Sequence, residues 1–349
     1  MKKTNFSRAR TLLRDGARAR AFPAAVLEIG NRKGTEYRGA FGALHYGVDA
    51  AATTSLTIFD LASLTKVIST TTLAMCLIET GSLQLNDPVY RWIPGWRTSD
   101  RKSVTVKDLL EHTSGLSTYL PFYRNLSGRA EFEYAISSLP LEYAPRSCAV
   151  YSDLGFIVLG FILENAGEGT LETQFSQFFQ PLPEALGFRP SKSWLSRSAP
   201  TEIDSWRGRL LAGEVHDENA WALGGVAGHA GLFGTAGAVG RFAQSVLQTL
   251  AGQQKLVQPS TLARFIIPSD VSGSSRALGW DTMRVTSSCG TKMTASAIGH
   301  TGFTGTSVWI DPNLDLYVVL LSNRIHPNRT NEAMAKLRPL VHDAIVEAW

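Results

Sequence analysis

Apolar and polar positions follow one another along this chain in two rhythms. Residues 22–29 form a nearly unbroken apolar run that stops at Gly30-Asn31-Arg32-Lys33-Gly34, which predicts a strand entering a hairpin turn, with residues 37–41 as partner. Strands are predicted again at 296–300, 306–310 and 316–321, the last two joined by a turn at Asp311-Pro312-Asn313. Between these groups the spacing is helical. Residues 63–80 are apolar most of the way round (Val67, Ile68, Leu73, Ala74, Met75, Leu77, Ile78), which predicts a buried helix closed by Gly81. Thr105 is placed to cap a helix beginning in 104–110, and residues 153–165 predict another apolar helix. Helices are expected at 4–19 and 331–349, and residues 181–215 read as loop.

Strands at both ends therefore flank a helical middle, without the strand–helix alternation of a parallel doubly wound sheet. The expected fold class is α+β: an antiparallel sheet flanked by N- and C-terminal helices, with a mainly helical inserted domain. Residues 1–81 with 222–349 would form the sheet domain and 82–221 the helical one, with an active site in the cleft between them.

Composition narrows the function. The chain has 349 residues, 44% hydrophobic and 18% charged, enough for one large domain or two sharing a cleft. The 34 Lys and Arg exceed the 30 Asp and Glu only slightly, and much of the excess lies in the first twenty residues. No basic stripe interleaved with aromatics runs through the body, so no nucleic-acid partner is expected. The three cysteines, Cys76, Cys148 and Cys289, lack metal or redox spacing, and reduced thiols are expected. Arginines interrupt the start where the apolar core of a secretory signal would lie, and no stretch reaches the length of a membrane span. A cytoplasmic location is expected, with a small-molecule substrate and no cofactor or metal; the oligomeric state is open.

Candidate chemistry begins at Ser63-Leu64-Thr65-Lys66. Ser-x-x-Lys sets a hydroxyl and an amine on one helical face, where a desolvated lysine can help take the serine proton. The pattern occurs twice; Ser99-Asp100-Arg101-Lys102 lies in a polar loop where Lys102 would stay solvated, so context selects Ser63. A second element is Tyr151-Ser152-Asp153, ahead of an apolar helix, with Tyr123-Arg124-Asn125 as a rival tyrosine site. A third is His300-Thr301-Gly302, where a strand end with a small residue lets a substrate backbone lie alongside. The backbone N–H groups of Ser63 and Phe303 could then form an oxyanion hole.

Together, and in that order, these elements resemble the serine β-lactamase and penicillin-binding protein superfamily, nearest its class C β-lactamase-like branch of DD-peptidases, esterases and muropeptide amidases. The segments Phe59-Asp60-Leu61-Ala62-Ser63, Leu110-Glu111-His112-Thr113-Ser114-Gly115 and Gly231-Leu232-Phe233-Gly234 extend the likeness, which spans about residues 22–324. The resemblance implies Ser63 as nucleophile, Lys66 and Tyr151 sharing the proton work, and Asp153, His300, Thr301 and Gly302 against the substrate. Two positions depart from it. Asp153 stands where the family often has Asn, and its charge would raise the Tyr151 pKa and favour protonated Lys66. His300 stands where β-lactamases often have Lys; a mostly neutral histidine weakens the case for β-lactam turnover. The His- and acid-rich stretch from Glu214 to His229 looks like a cleft-lining loop of members associated with peptidoglycan breakdown, with His216, Glu218 and His229 as candidate substrate contacts. It lacks the paired helical histidines of a metal motif. The expected activity is acyl-enzyme hydrolysis of an amide in a peptidoglycan-derived fragment, of muramoyl-alanine amidase or peptidase type. A carboxylesterase, a class C-like β-lactamase and a catalytically silent sensor are the alternatives.

Overall fold

A computed structural model describes residues 5–98, 100–179 and 185–349. Ser99, the rival serine, lies outside the described residues. Along the chain, helix α1 (Ser7–Arg18) leads into strands β1 (Ala24–Asn31), β2 (Gly34–Gly42) and β3 (Phe59–Asp60). Helices α2 (Thr72–Glu79), α3 (Val106–Leu110), α4 (Gly128–Ser138), α5 (Asp153–Ala166) and α6 (Leu171–Phe178) fill the middle. Short pieces follow: β4 (Leu186–Phe188), α7 (Lys192–Leu195), β5 (Ile203–Asp204), β6 (Arg209–Leu210) and α8 (Glu218–Ala222). The chain ends through β7 (Leu232–Gly234), α9 (Ala236–Leu250), α10 (Pro259–Phe265), β8 (Asp281–Thr282), β9 (Ile298–Thr301), β10 (Ser307–Asp311), β11 (Leu316–Ser322) and α11 (Ala333–Ala348).

The main sheet runs β2-β1-β11-β10-β9-β8 and every neighbouring pair is antiparallel. Its central strands read as apolar runs because both faces are covered, and their period of two divides them between two cores. Ala25, Leu27, Ile29, Leu316, Val318 and Leu320 pack with Leu13 of α1 and Val341 and Ile345 of α11. The intervening Ala24, Val26, Tyr317, Val319 and Leu321 turn to the opposite face, against Val239, Phe242 and Val246 of α9. That second cluster continues into Leu154, Ile157 and Leu159 of α5 and Leu109 of α3. We propose the division of residues 1–81 with 222–349 from 82–221 as two parts of one packed unit, since a single apolar cluster runs through both. Among the described residues no single helix is long and apolar enough to cross a membrane.

Most expected elements are present, Thr105 with a full capping box included. The expected helix over 63–80 is broken differently. Ser63 lies in the turn before it, Lys66–Thr71 is a π-helical turn, and regular α-helix starts at Thr72. Ser69-Thr70-Thr71-Thr72 supplies the reason: hydroxyls compete for backbone carbonyls, and Thr72 Oγ1 donates to Val67 O at 3.0 Å while Thr70 Oγ1 donates to Gly228 O at 2.6 Å. The stretch expected as loop at 181–215 contains β4, α7, β5 and β6, each at most four residues long.

Candidate active site

Ser63 is held by the short sheet β3-β7-β4 rather than by its own helix. Asp60 and Phe59 pair with Phe233 and Gly234, and the Leu61 N–H donates to Leu232 O. Asp60 is buried, and its carboxylate accepts the N–H of Ala62 at 2.8 Å and of His216 at 2.7 Å. Ala62 adopts φ +48°, a left-handed conformation uncommon for a residue with a Cβ, so the chain turns sharply just before Ser63. From the other side, Thr304 Oγ1 donates to Asp60 O and Thr306 Oγ1 to Leu61 O. Gly302 makes this approach possible: a Cβ there would stand 2.6 Å from Leu61 O and 3.2 Å from Ala62 Cβ. Neither the Ser63 nor the Phe303 backbone N–H has an acceptor among the described residues, as an oxyanion site requires.

Lys66 is fully buried and its Nζ donates to Ser63 Oγ at 3.1 Å, Asp153 Oδ1 at 2.6 Å and His229 O at 3.2 Å. Burial opposes the ammonium, but the Asp153 carboxylate and Tyr151 outweigh it and hold the Lys66 pKa above its ordinary value. The Tyr151 ring centroid lies 4.8 Å from Lys66 Nζ; burial, helped by Asp153, pushes the Tyr151 pKa up against the pull of Lys66. The resting site therefore holds a charged Lys66 beside Asp153 and a neutral phenol at Tyr151. Ser152, not Asp153, caps α5 through a bond from the Gly155 N–H, which leaves the Asp153 side chain to face Lys66.

His300 and Thr301 end β9. Strand β8 pairs only with Ile298 and Gly299, so the edge of His300 and Thr301 stays open to the cleft. The cleft, about 640 Å³, is lined by Ser63, Tyr151, Asp153, His300, Thr301, Gly302 and Phe303. His300 donates Nδ1–H to Thr301 O at 2.8 Å, and burial, with Arg276 and Lys66 nearby, holds its pKa well below the usual histidine value. It is neutral at pH 7. The positive charge on this wall comes from arginines that no local pattern marked: Arg276, Arg324, Arg329 and Arg338. Arg276 sits 5.1 Å from the Tyr151 ring centroid and is only loosely paired, 3.9 Å from Asp281. It lies in a polar loop, Ser272-Gly273-Ser274-Ser275-Arg276, that reaches the cleft only because β8 joins the sheet edge. His112 was also missed as a site neighbour; its ring lies 4.7 Å from that of Tyr151 and its Nδ1 accepts the Ser152 N–H. Tyr123, the rival tyrosine, stands apart in a second cavity with Trp206.

The 214–229 stretch divides. His229 reaches the site through its backbone carbonyl on Lys66, while its side chain donates to Asp217 at 2.8 Å. His216 and Glu218 do not line the catalytic cleft. His216 Nε2 donates to Glu202 at 2.8 Å, and Arg329 donates to both Glu202 and Glu218. These side chains close a charge network on one another. His216 also stacks on Phe303 at 5.6 Å between ring centroids, bracing the residue whose N–H is the second candidate oxyanion donor.

Residues 9–343 match the family described as Beta-lactamase. The chain belongs to the beta-lactamase family. Within it, the chain is 32% identical over 307 residues to "Putative D-alanyl-D-alanine carboxypeptidase" of Salmonella gallinarum, covering 78% of this chain and 71% of that one. Its fold is shared with the hydrolase EstCE1, described as having promiscuous acyltransferase activity, at 21% identity and a TM-score of 0.77 over 97% of both chains. A class C beta lactamase superposes with a TM-score of 0.78 over 98% of this chain and 99% of that one, at 16% identity. This beta-lactamase-family chain is a serine hydrolase with the β-lactamase/transpeptidase-like fold.

Proposed function

We propose that the enzyme is a peptidase forming an acyl-enzyme on Ser63, cleaving a peptide amide of the peptidoglycan type whose leaving residue carries a free carboxylate. The observation that supports this most directly is Arg276, a guanidinium in the cleft beside Tyr151 with its nearest carboxylate partner at 3.9 Å. It supplies the charge that neutral His300 does not, and a guanidinium fork suits a carboxylate. The carboxypeptidase name of the 32% identical relative points the same way. A muramoyl-alanine amidase would have no such terminal carboxylate on every substrate, so the peptidase reading is preferred.

The proposed chemistry follows from the resting charges. Loss of one proton from Lys66 to solvent frees the amine, which accepts the Ser63 proton across 3.1 Å as Oγ bonds to the carbonyl carbon. The carbonyl oxygen becomes an oxyanion held by the Ser63 and Phe303 N–H groups. The Tyr151 phenol donates its proton to the leaving nitrogen as the C–N bond breaks, and Lys66 restores that proton. Water then attacks the ester carbon, gives its proton back through the same groups to Ser63 Oγ, and releases the acid.

Paired peptides test this. A peptide ending in a free carboxylate should be cleaved with a KM about tenfold below that of its carboxamide, and Arg276→Ala should abolish the difference. Equal turnover of acid and carboxamide by the wild type would defeat the reading. The neutral His300 favours a second one, a carboxylesterase; rapid turnover of p-nitrophenyl butyrate with no cleavage of either peptide would select it. Fractionation of cells producing the chain tests the expected cytoplasmic location.

A further inference from the structure

A second cavity of about 450 Å³ lies beside the catalytic cleft and shares one wall with it, Arg329. Aromatic rings form its lip. Tyr123 and Trp206 meet edge to face at 4.5 Å, and Trp206 meets Trp221 the same way at 5.3 Å. Trp206 and Trp221 are 43% and 40% exposed, unusual for rings of this size so close to an active site. The ridge is rigidly built. Arg207 lies beneath both indoles, 5.6 and 5.5 Å from their centroids, and donates to Val215 O and His216 O. Buried Asn219 accepts the Tyr123 N–H and donates to Leu120 O, tying the tyrosine to α8. Nothing in the hydrolytic chemistry uses these residues.

The lining alternates in sign: carboxylates of Glu202, Asp204 and Glu218 stand among the guanidinium groups of Arg124 and Arg329. An anion would face the acids and a cation the arginines. A neutral ligand rich in hydroxyls can donate to the first and accept from the second while laying an apolar face of C–H groups on an indole. We infer that this cavity is a saccharide subsite, taking a neutral pyranose against Trp206 and Tyr123 while a peptide attached to it reaches Ser63 past Arg329. The inference deepens the peptidase reading by adding a sugar to its substrate, and rests on that reading only for the attached peptide.

Two measurements on the full chain separate the claims. In the Ser63→Ala background, N-acetylglucosamine is titrated and followed by saturation-transfer NMR. Saturable binding is expected, weakened about tenfold by Trp206→Ala and by Tyr123→Leu, the loss usual for a stacked aromatic anchor. Circular dichroism confirms that each variant is folded. No saturable binding, or equal binding by the folded variants, overturns the subsite. In the Ser63 enzyme, the ratio of kcat/KM for a saccharide-linked peptide over the free peptide should exceed about ten and fall toward one in Trp206→Ala. A ratio near one in the wild type overturns the link between cavity and cleft. If neither peptide is cleaved while the sugar still binds, the peptidase reading falls and the subsite stands.

Discussion

Two clusters of charge flank the cleft, and they are built to opposite ends. In one, Lys66 lies among Asp153, Tyr151 and Ser63, and one of its three hydrogen bonds goes to a hydroxyl that can react. In the other, Arg329 bridges Glu202 and Glu218 while His216 bonds Glu202, so each charge is met by another charge. The first is open toward the substrate and tuned by burial. The second is closed and fastens the segment after β11 to the loop that precedes α8. Each joins a cation to carboxylates, so residue content alone does not separate a reaction centre from a clasp. What separates them is whether a hydroxyl placed to react stands among the charges.

Substitutions that neutralise each cluster should break this comparison in opposite directions. Lys66→Met combined with Asp153→Asn should lower kcat by at least about 10³-fold, as losing an activating base does, while leaving chemical denaturation midpoints nearly unchanged, because both members of the pair are neutralised together. A large fall in stability with residual activity would show the pair to be structural. Gly302→Ala comes next. The added Cβ pushes β9 away from Leu61, so kcat should drop by about 10²-fold through misplacement of the Phe303 N–H; unchanged turnover of an ester would refute that geometry.

Arg329→Ala should show the converse pattern: a loss of about 2 kcal/mol in urea unfolding, since two carboxylates lose their partner at a partly exposed site, with a smaller effect on kcat. The smallest effects concern pH. Asp153→Asn removes the charge that holds the Lys66 pKa up, so the free amine forms at lower pH and the acid limb of kcat/KM should move to lower pH. A limb that stays in place would mean that Lys66 is not the base. Glu202 provides the counterpart in stability. Burial resists its charge, yet bonds from His216 and Arg329 bring its pKa down to about 2. Its contribution is complete above the unfolded carboxyl value near 4.3 and is lost as pH falls through about 2. Acid unfolding of Glu202→Gln should therefore be flatter over that window by about 1 kcal/mol.

Local patterning was enough for β1, β2, β9, β10 and β11, which are long enough to read, and not for the strands of two or three residues, β3 to β8. It was enough for the Thr105 cap and for Ser63, Lys66 and Tyr151 as neighbours of one cleft. These follow from short segments or from a resemblance carried by them. Gly302 was expected to make room for substrate, whereas the packing it permits is that of Leu61 and Ala62. The π-helical turn at Lys66–Thr71 was not legible, since it depends on where hydroxyls find carbonyls, one of them on Gly228. His216 and Glu218 illustrate the same limit: expected as substrate contacts, they stand outside the lining of the catalytic cleft, where Arg329, more than a hundred positions away, pairs with Glu218 and His216 pairs with Glu202.

The order of apolar and polar residues thus specified which segments are strand or helix and which short runs bear reactive groups, since both are decided within a few residues. Partnership was settled only in the folded chain. A charged Lys66 and a mostly neutral His300 were readable from residue types, but how burial and neighbouring charges act on each, and that Arg276 lines the cleft, depend on groups brought together from distant segments. Electrostatic interactions act through space in a low-dielectric interior, and that proximity exists only once the sheet edge, α5 and the loop before β8 have packed around Ser63.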